Sequence, residues 1–135
     1  LNNLLKPDGR LFIHIFCHKN LTYFYEMKNN FDWMTKYFFQ GGIMPSKDIF
    51  EYFCNDLEII NQWDINGEHY SKTCKAWLKN HYKNKKKILD IFQNHYDKPN
   101  IWFNRWRIFF LSCEAFFALN NGKEYFVSHY LLKKV

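Results

Sequence analysis

The sequence predicts an α/β fold in which an open sheet of three strands is covered by helices. Three observations carry that prediction. Residues 11–18 form a short apolar run of β-favouring residues just after the turn signal Pro7-Asp8-Gly9. Residues 57–65 alternate as a strand does and stop at Asn66-Gly67. The apolar period then turns helical for some fifty residues, before 124–132 return to a strand with few charges, as expected when both faces are covered. The order strand, helix, strand, long helical stretch, strand suits a sheet with helices on both sides.

Taken in order, residues 21–37 are polar and aromatic by turns and read as one or two short helices. An aromatic run ends at Gly41-Gly42, and Pro45-Ser46 opens a helix over 46–55. Ser46 is its expected N-cap, Asp48 suits the positive end of the dipole, and Ile49, Phe50 and Phe53 are expected to face inward. From 68 to 96 one stripe holds Tyr70, Cys74, Trp77, Leu78 and His81, and the next holds Ile88, Ile91, Phe92 and His95. Asp97-Lys98-Pro99 breaks the pattern. The following helix carries Trp102, Trp106, Phe109, Cys113 and Phe116 on one stripe, with Phe103, Phe110 and Phe117 beside it. Apolar residues so far around a helix mean burial on more than one side. Asn120-Asn121-Gly122 closes or turns it.

A chain of 135 residues suits one domain, and 47% hydrophobic with 21% aromatic content excludes a disordered tail. No apolar run approaches the roughly 18–20 residues that span a bilayer. The cysteines at 17, 54, 74 and 113 form no C-x-x-C pair, so neither a zinc ribbon nor a disulfide scaffold is expected. Buried free thiols in a reducing, cytoplasmic setting are the plain reading. The net charge of +6 gathers at Lys79, Lys83, Lys85, Lys86 and Lys87, which read as a solvated helix face. An anionic membrane surface is a second use for that run. A rival reading is a small basic α/β binding module with the lysines on phosphates, though no nucleic-acid partner is expected. The chain lacks an initiator Met and enters its first strand almost at once, so it reads as a piece of something longer.

Five segments then carry a resemblance. They are Leu5-Lys6-Pro7-Asp8-Gly9-Arg10-Leu11-Phe12-Ile13-His14; Asp32-Trp33-Met34-Thr35-Lys36-Tyr37-Phe38-Phe39 with the Gly41-Gly42-Ile43-Met44-Pro45-Ser46 that follows; Trp63-Asp64-Ile65-Asn66-Gly67-Glu68-His69-Tyr70; Trp106-Arg107-Ile108-Phe109-Phe110; and Asn120-Asn121-Gly122-Lys123-Glu124. In that order they resemble the cyclopropane-fatty-acyl-phospholipid synthase and coclaurine N-methyltransferase family, and its eukaryotic N-methyltransferase branch most. The resemblance implies the last three strands of a Rossmann-like class I methyltransferase sheet, the seventh antiparallel between the fifth and sixth. It also implies a helical acceptor-side insertion over 67–122. The implied activity is transfer of a methyl or methylene group from S-adenosylmethionine (SAM) to an amine or an unsaturated lipid.

Site residues follow from the same resemblance. His14 and Tyr70 fall where the family has catalytic residues, and His14 with the backbone at Phe16 would help hold a bicarbonate base. Trp106 and Phe109 would line the acceptor pocket. Glu114, in an apolar helix, is expected to meet Arg105, Arg107 or the acceptor amine. The plain alternatives are a strand-buried His14, core roles for Trp106 and Phe109, and for Tyr70 either a core position or a polar network. No G-x-G-x-G turn follows a first strand here, so no cofactor-binding residue is assigned, and the SAM-holding half is expected upstream. His14-x-x-Cys17-His18 alternates across two strand faces, which excludes a metal site.

Overall fold

A computed structural model describes residues 2–29, 32–53 and 55–135. The first apolar run becomes β1 (Arg10–His18), followed by a two-residue strand β2 (Tyr23–Phe24), a π-helical turn (Thr35–Phe39), β3 (Ile43–Met44) and a short α1 (Ile49–Phe53). Then come β4 (Leu57–Ile65), α2 (Gly67–Lys83), α3 (Lys85–Gln93), α4 (Pro99–Gly122) and β5 (Tyr125–Lys134). Strand order in the sheet is β1-β5-β4, with β5 antiparallel to both neighbours. This is the arrangement the resemblance implies. The register sets His14 against His129 and Trp63 against His129, with one irregularity between Ile59 and Asn61.

Alternation along the strands builds two covered faces. On one, Cys17, Ser128, Tyr130 and Leu132 are fully buried, and Phe50 of α1 meets Tyr130 edge-on at 4.8 Å. The Ser128 hydroxyl donates to Asp64 at 2.6 Å and the Tyr130 hydroxyl to the Lys47 carbonyl at 2.5 Å, so the polar atoms on this face are satisfied. On the other face α2 and α4 pack across β5 through Cys74, Cys113 and Phe117, with Phe16 and Tyr125 against them. His81 of α2 stacks on Phe103 of α4 at 3.9 Å, and its Nε2 lies 3.0 Å from the Phe103 carbonyl. That contact assigns the proton to Nε2, because a carbonyl can only accept.

The start of α2 and the end of α4 lock together. Asn66 caps α2 by accepting from the Glu68 amide at 2.8 Å, and its Nδ2 donates to the Asn121 carbonyl at 2.9 Å. Helical geometry gives out at Leu119, and Asn120, Asn121 and Gly122 all take left-handed conformations, with φ of 51°, 54° and 73°. Gly67 sits against backbone carbonyls of Tyr125, Phe117 and Gly122, which leave no room for a Cβ. Two asparagine–glycine signals 55 residues apart are one physical corner.

Several expectations are corrected. Of the one or two short helices expected over 21–37, the described residues give one, which starts at Trp33 and widens into the π-turn; the segment before it is extended instead, with β2 pairing to β3. The helix expected over 46–55 is regular only at Ile49–Phe53, and Phe53 is exposed. Ser46 does not start it. Its amide donates to Thr22 Oγ1 at 2.9 Å, its hydroxyl accepts from the same atom at 2.8 Å, and it forms a parallel bridge with His18. Ile91 and His95 face outward on and after α3, and Trp77 is half exposed. Cys54 lies outside the described residues; the other three cysteines are free and buried.

Candidate active site

The π-turn follows from crowding. Tyr37, Phe38 and Phe39 must each reach a ring on another element, and the wider turn spreads them. Phe38 stacks on Phe109 of α4 at 4.4 Å and meets Trp106 edge-on at 5.0 Å. Phe39 stacks on Tyr25 at 4.7 Å. Gly41, with φ of 78°, then reverses the chain into β3, and the Tyr25 amide closes the turn onto the Gly42 carbonyl at 2.9 Å.

These rings wall a cavity of about 690 Å³ between the π-turn, the β2–β3 ribbon, the end of β1 and α4. That size accommodates a drug-sized molecule. Its aromatic lining is Phe16, Tyr23, Tyr25, Trp33, Phe39, Tyr70, Phe109 and Tyr125, with Phe116 and Phe117 farther along α4. Asp32 supplies its one carboxylate, whose Oδ2 accepts from the amides of Lys28 at 2.7 Å and Asn29 at 2.9 Å. Burial raises the phenols of Tyr23, Tyr25 and Tyr70, and takes Tyr25 to about 12, so these hydroxyls stay protonated near neutrality. Tyr70 meets Phe117 edge-on at 4.4 Å. On the floor, a hydrogen bond between Cys113 and Cys74, with burial, holds the Cys113 thiol well above its usual range; the same bond lowers Cys74. Such a cavity is mostly apolar and presents ring faces, the environment that attracts a cation.

The structure brings Phe16, Tyr70 and Phe109 together on this cavity. It does not bring His14, Trp106 or Glu114 to the lining. Trp106 stands behind the wall, against Phe38, Phe109 and Phe110. Glu114 ion-pairs with Lys75 at 3.9 Å rather than with the arginines expected of it, while Arg105 lies over the Tyr37 ring at 3.7 Å. His14 is exposed, not strand-buried. Its Nδ1 is 2.9 Å from Nε2 of His129, and the two rings sit 4.7 Å apart. His18, on the same strand face, is buried: its Nδ1 accepts from the Asn20 and Leu21 amides at 3.0 and 2.9 Å, leaving Nε2–H for Glu124 at 3.0 Å. No group of three or more potential metal ligands occurs among the described residues.

Sequence reasoning did not find Tyr23, Tyr25, Asp32, Trp33 and Tyr125 as site residues. They come from three separate segments, and the signal for two of them, Asp32-Trp33, lay inside a motif read only for likeness.

Comparison with known proteins places this geometry. The family model described as mycolic acid cyclopropane synthetase matches residues 1–125. (S)-Coclaurine N-methyltransferase of Papaver somniferum is 37% identical over 99% of this chain, and that of Thalictrum flavum subsp. glaucum 39% identical over 96%. This chain spans only 40% and 38% of those relatives' lengths, on their C-terminal part. Among solved structures, coclaurine N-methyltransferase bound to N-methylheliamine and SAH superposes with a TM-score of 0.86 at 36% identity, covering 98% of this chain and 41% of that one. A cyclopropane synthase from Mycobacterium tuberculosis has the same fold at a TM-score of 0.74 and 17% identity, over 98% of this chain and 47% of its own. The fold is thus the C-terminal part of a class I methyltransferase sheet with its helices, and the chain belongs to the mycolic acid cyclopropane synthetase family.

Proposed function

We propose that the intact protein is a SAM-dependent methyltransferase acting on a small-molecule amine, and that this chain supplies the acceptor side of its pocket. The observation that carries this reading is the aromatic cavity with a carboxylate, Asp32, at its wall. A sulfonium donor and a protonated amine are both cationic, and ring faces hold such charge without a covalent partner. SAM, held by an upstream half, would supply an electrophilic methyl; the bound amine would first lose its proton to a base, and its freed lone pair would then take the methyl as the thioether leaves.

The residues here fit the acceptor's share of that chemistry. Phe109, backed by Phe38 and Trp106, fixes the plane against which an acceptor ring or chain lies. Asp32 offsets positive charge on the amine. Tyr70 and Tyr25, kept protonated, donate hydrogen bonds to acceptor oxygens or to a base. Positioning and desolvation would supply most of the acceleration. His14 and Glu114 act, on this reading, only where upstream residues extend the cavity toward them. Residues 67–122 form the acceptor-side insertion.

The test uses the full-length protein, with SAM turnover followed against a panel of small secondary and tertiary amines and against vesicles of unsaturated phospholipid. Turnover of an amine, with Phe109→Ala lowering kcat/KM for it by about 10- to 100-fold and SAM affinity unchanged, is the expected result. Turnover on the vesicles alone would replace the amine with a lipid acceptor. Equal losses for acceptor and SAM would make Phe109 a core residue.

A further inference from the structure

The three free cysteines among the described residues are all buried, but they do not stand alike. Cys17 lies on the sheet face opposite α2 and α4, where its thiol donates to Ser128 Oγ at 3.5 Å. Cys74 of α2 and Cys113 of α4 instead pack together, with Phe117, in the cluster that joins the two helices. Their thiols are hydrogen-bonded to each other. Cys74 is only 1% exposed, yet Cys113 lines the cavity, so a small molecule that enters the cavity reaches the pair. A lone buried cysteine packs as a small hydrophobe. Two in contact have a second chemistry, because each sulfur can resolve the oxidised form of its neighbour. The hydrogen bond also favours the thiolate, the reactive form, at Cys74.

We propose that Cys74 and Cys113 are a reversible redox pair, joined by a disulfide when hydrogen peroxide enters the cavity. One sulfur, as thiolate, takes an oxygen from the peroxide and becomes a sulfenic acid; the hydroxide that leaves picks up a proton as water. The second thiol then displaces the sulfenic hydroxyl as a second water, and the S–S bond forms. Each sulfur gives up one electron, and the peroxide is reduced to water. The link acts directly on the site. Tyr70 precedes Cys74 by one helical turn, and Phe109 precedes Cys113 by one, so each thiol stands beside a residue that lines the cavity. Phe117, one turn after Cys113, meets Tyr70 edge-on at 4.4 Å. A disulfide holds its sulfurs about 2 Å apart, well inside hydrogen-bond contact. Forming it draws α2 against α4 or turns both side chains, and Tyr70, Phe109 and Phe117 shift with them. That the shift lowers acceptor turnover rests on reading the cavity as the acceptor site; formation of the link does not.

The test exposes the folded full-length protein to graded hydrogen peroxide, blocks the remaining thiols and maps the peptides by mass. A Cys74–Cys113 cross-link that dithiothreitol removes is the expected result. In the linked protein, kcat/KM for whichever acceptor the reduced enzyme turns over should fall at least about 10-fold and return with the reductant, while SAM affinity is unchanged. Cys74→Ser leaves Cys113 without a resolving thiol, so its oxidation should run on to sulfinic acid, which dithiothreitol does not reverse. Free thiols at both positions after other cysteines of the protein have been oxidised, or a cross-link that forms only on denaturation, would overturn the pair. A linked protein with unchanged acceptor kcat/KM would overturn its effect on the site. Turnover of no acceptor by the reduced enzyme would count against the acceptor reading, and the mass map would still decide the pair.

Discussion

Replacing Gly67 by alanine is the sharpest perturbation the fold offers. A Cβ there would lie 2.5 Å from the Phe117 carbonyl oxygen, 3.2 Å from that of Gly122, and closer still to that of Tyr125. All three are backbone atoms: two end α4 and one begins β5, so none can swing aside as a side chain would. Overpacking a core ordinarily costs about 1–3 kcal/mol, with rotamer changes absorbing part of it. Here relief requires moving the corner itself, which strains the Asn66–Asn121 hydrogen bond as well. A cost of at least about 3 kcal/mol follows. For a full-length protein as long as the matched relatives, of which this chain spans 40%, that is a fall in Tm of about 4 °C. Thermal unfolding of full-length wild type and Gly67→Ala, followed by far-ultraviolet circular dichroism, reads it directly. A change below about 0.5 kcal/mol, the range of an ordinary surface substitution, would refute the argument that these carbonyls are fixed.

Other outcomes follow from the same packing. Asn66→Ala removes both the cap of α2 and the bond to Asn121, and should cost about 1–2 kcal/mol by chemical denaturation. Burial lowers the His81 pKa below its usual 6.5, so the unfolded state binds the extra proton first. His81 therefore costs no stability above about pH 6.5 and destabilises progressively as pH falls below it; His81→Gln should flatten that acid limb in stability curves measured from pH 7.5 to 5. Trp106→Ala in the full-length enzyme should reduce acceptor kcat/KM several-fold through the displaced Phe38 and Phe109 while calorimetric SAM binding is unchanged. Equal losses would make it core.

The sheet was legible in the sequence because its strands are bounded by strong turn signals and carry few charges. Pro7-Asp8-Gly9 and Asn66-Gly67 mark edges that the structure keeps within a residue or two. Residues 21–37 were only partly legible, for a physical reason. Tyr25, Tyr37 and Phe39 are held by rings distant in sequence, so local period carries little information about their backbone. Ser46 shows the same limit: a capping residue type whose partner, Thr22, lies 24 positions back. Phe16, Tyr70 and Phe109 were reached through motifs and do meet on the cavity, whereas nothing local in the sequence indicated that His14 would turn toward His129.

The corner at Asn66 and Asn121 also bears on how this fold tolerates change. It ties the cap of α2 to the last turn of α4, so the helices between begin and end at one clasp beside the sheet. Loop-closure cost rises only with the logarithm of length, about 0.6 kcal/mol per doubling. Residues can be added to or removed from the α2–α3 and α3–α4 junctions, for example around Asn84 and Asp97, at little expense to the strands, provided the clasp is kept. The helices then behave as an exchangeable cassette, and the shape of the cavity wall can be re-cut without re-folding the sheet that carries it.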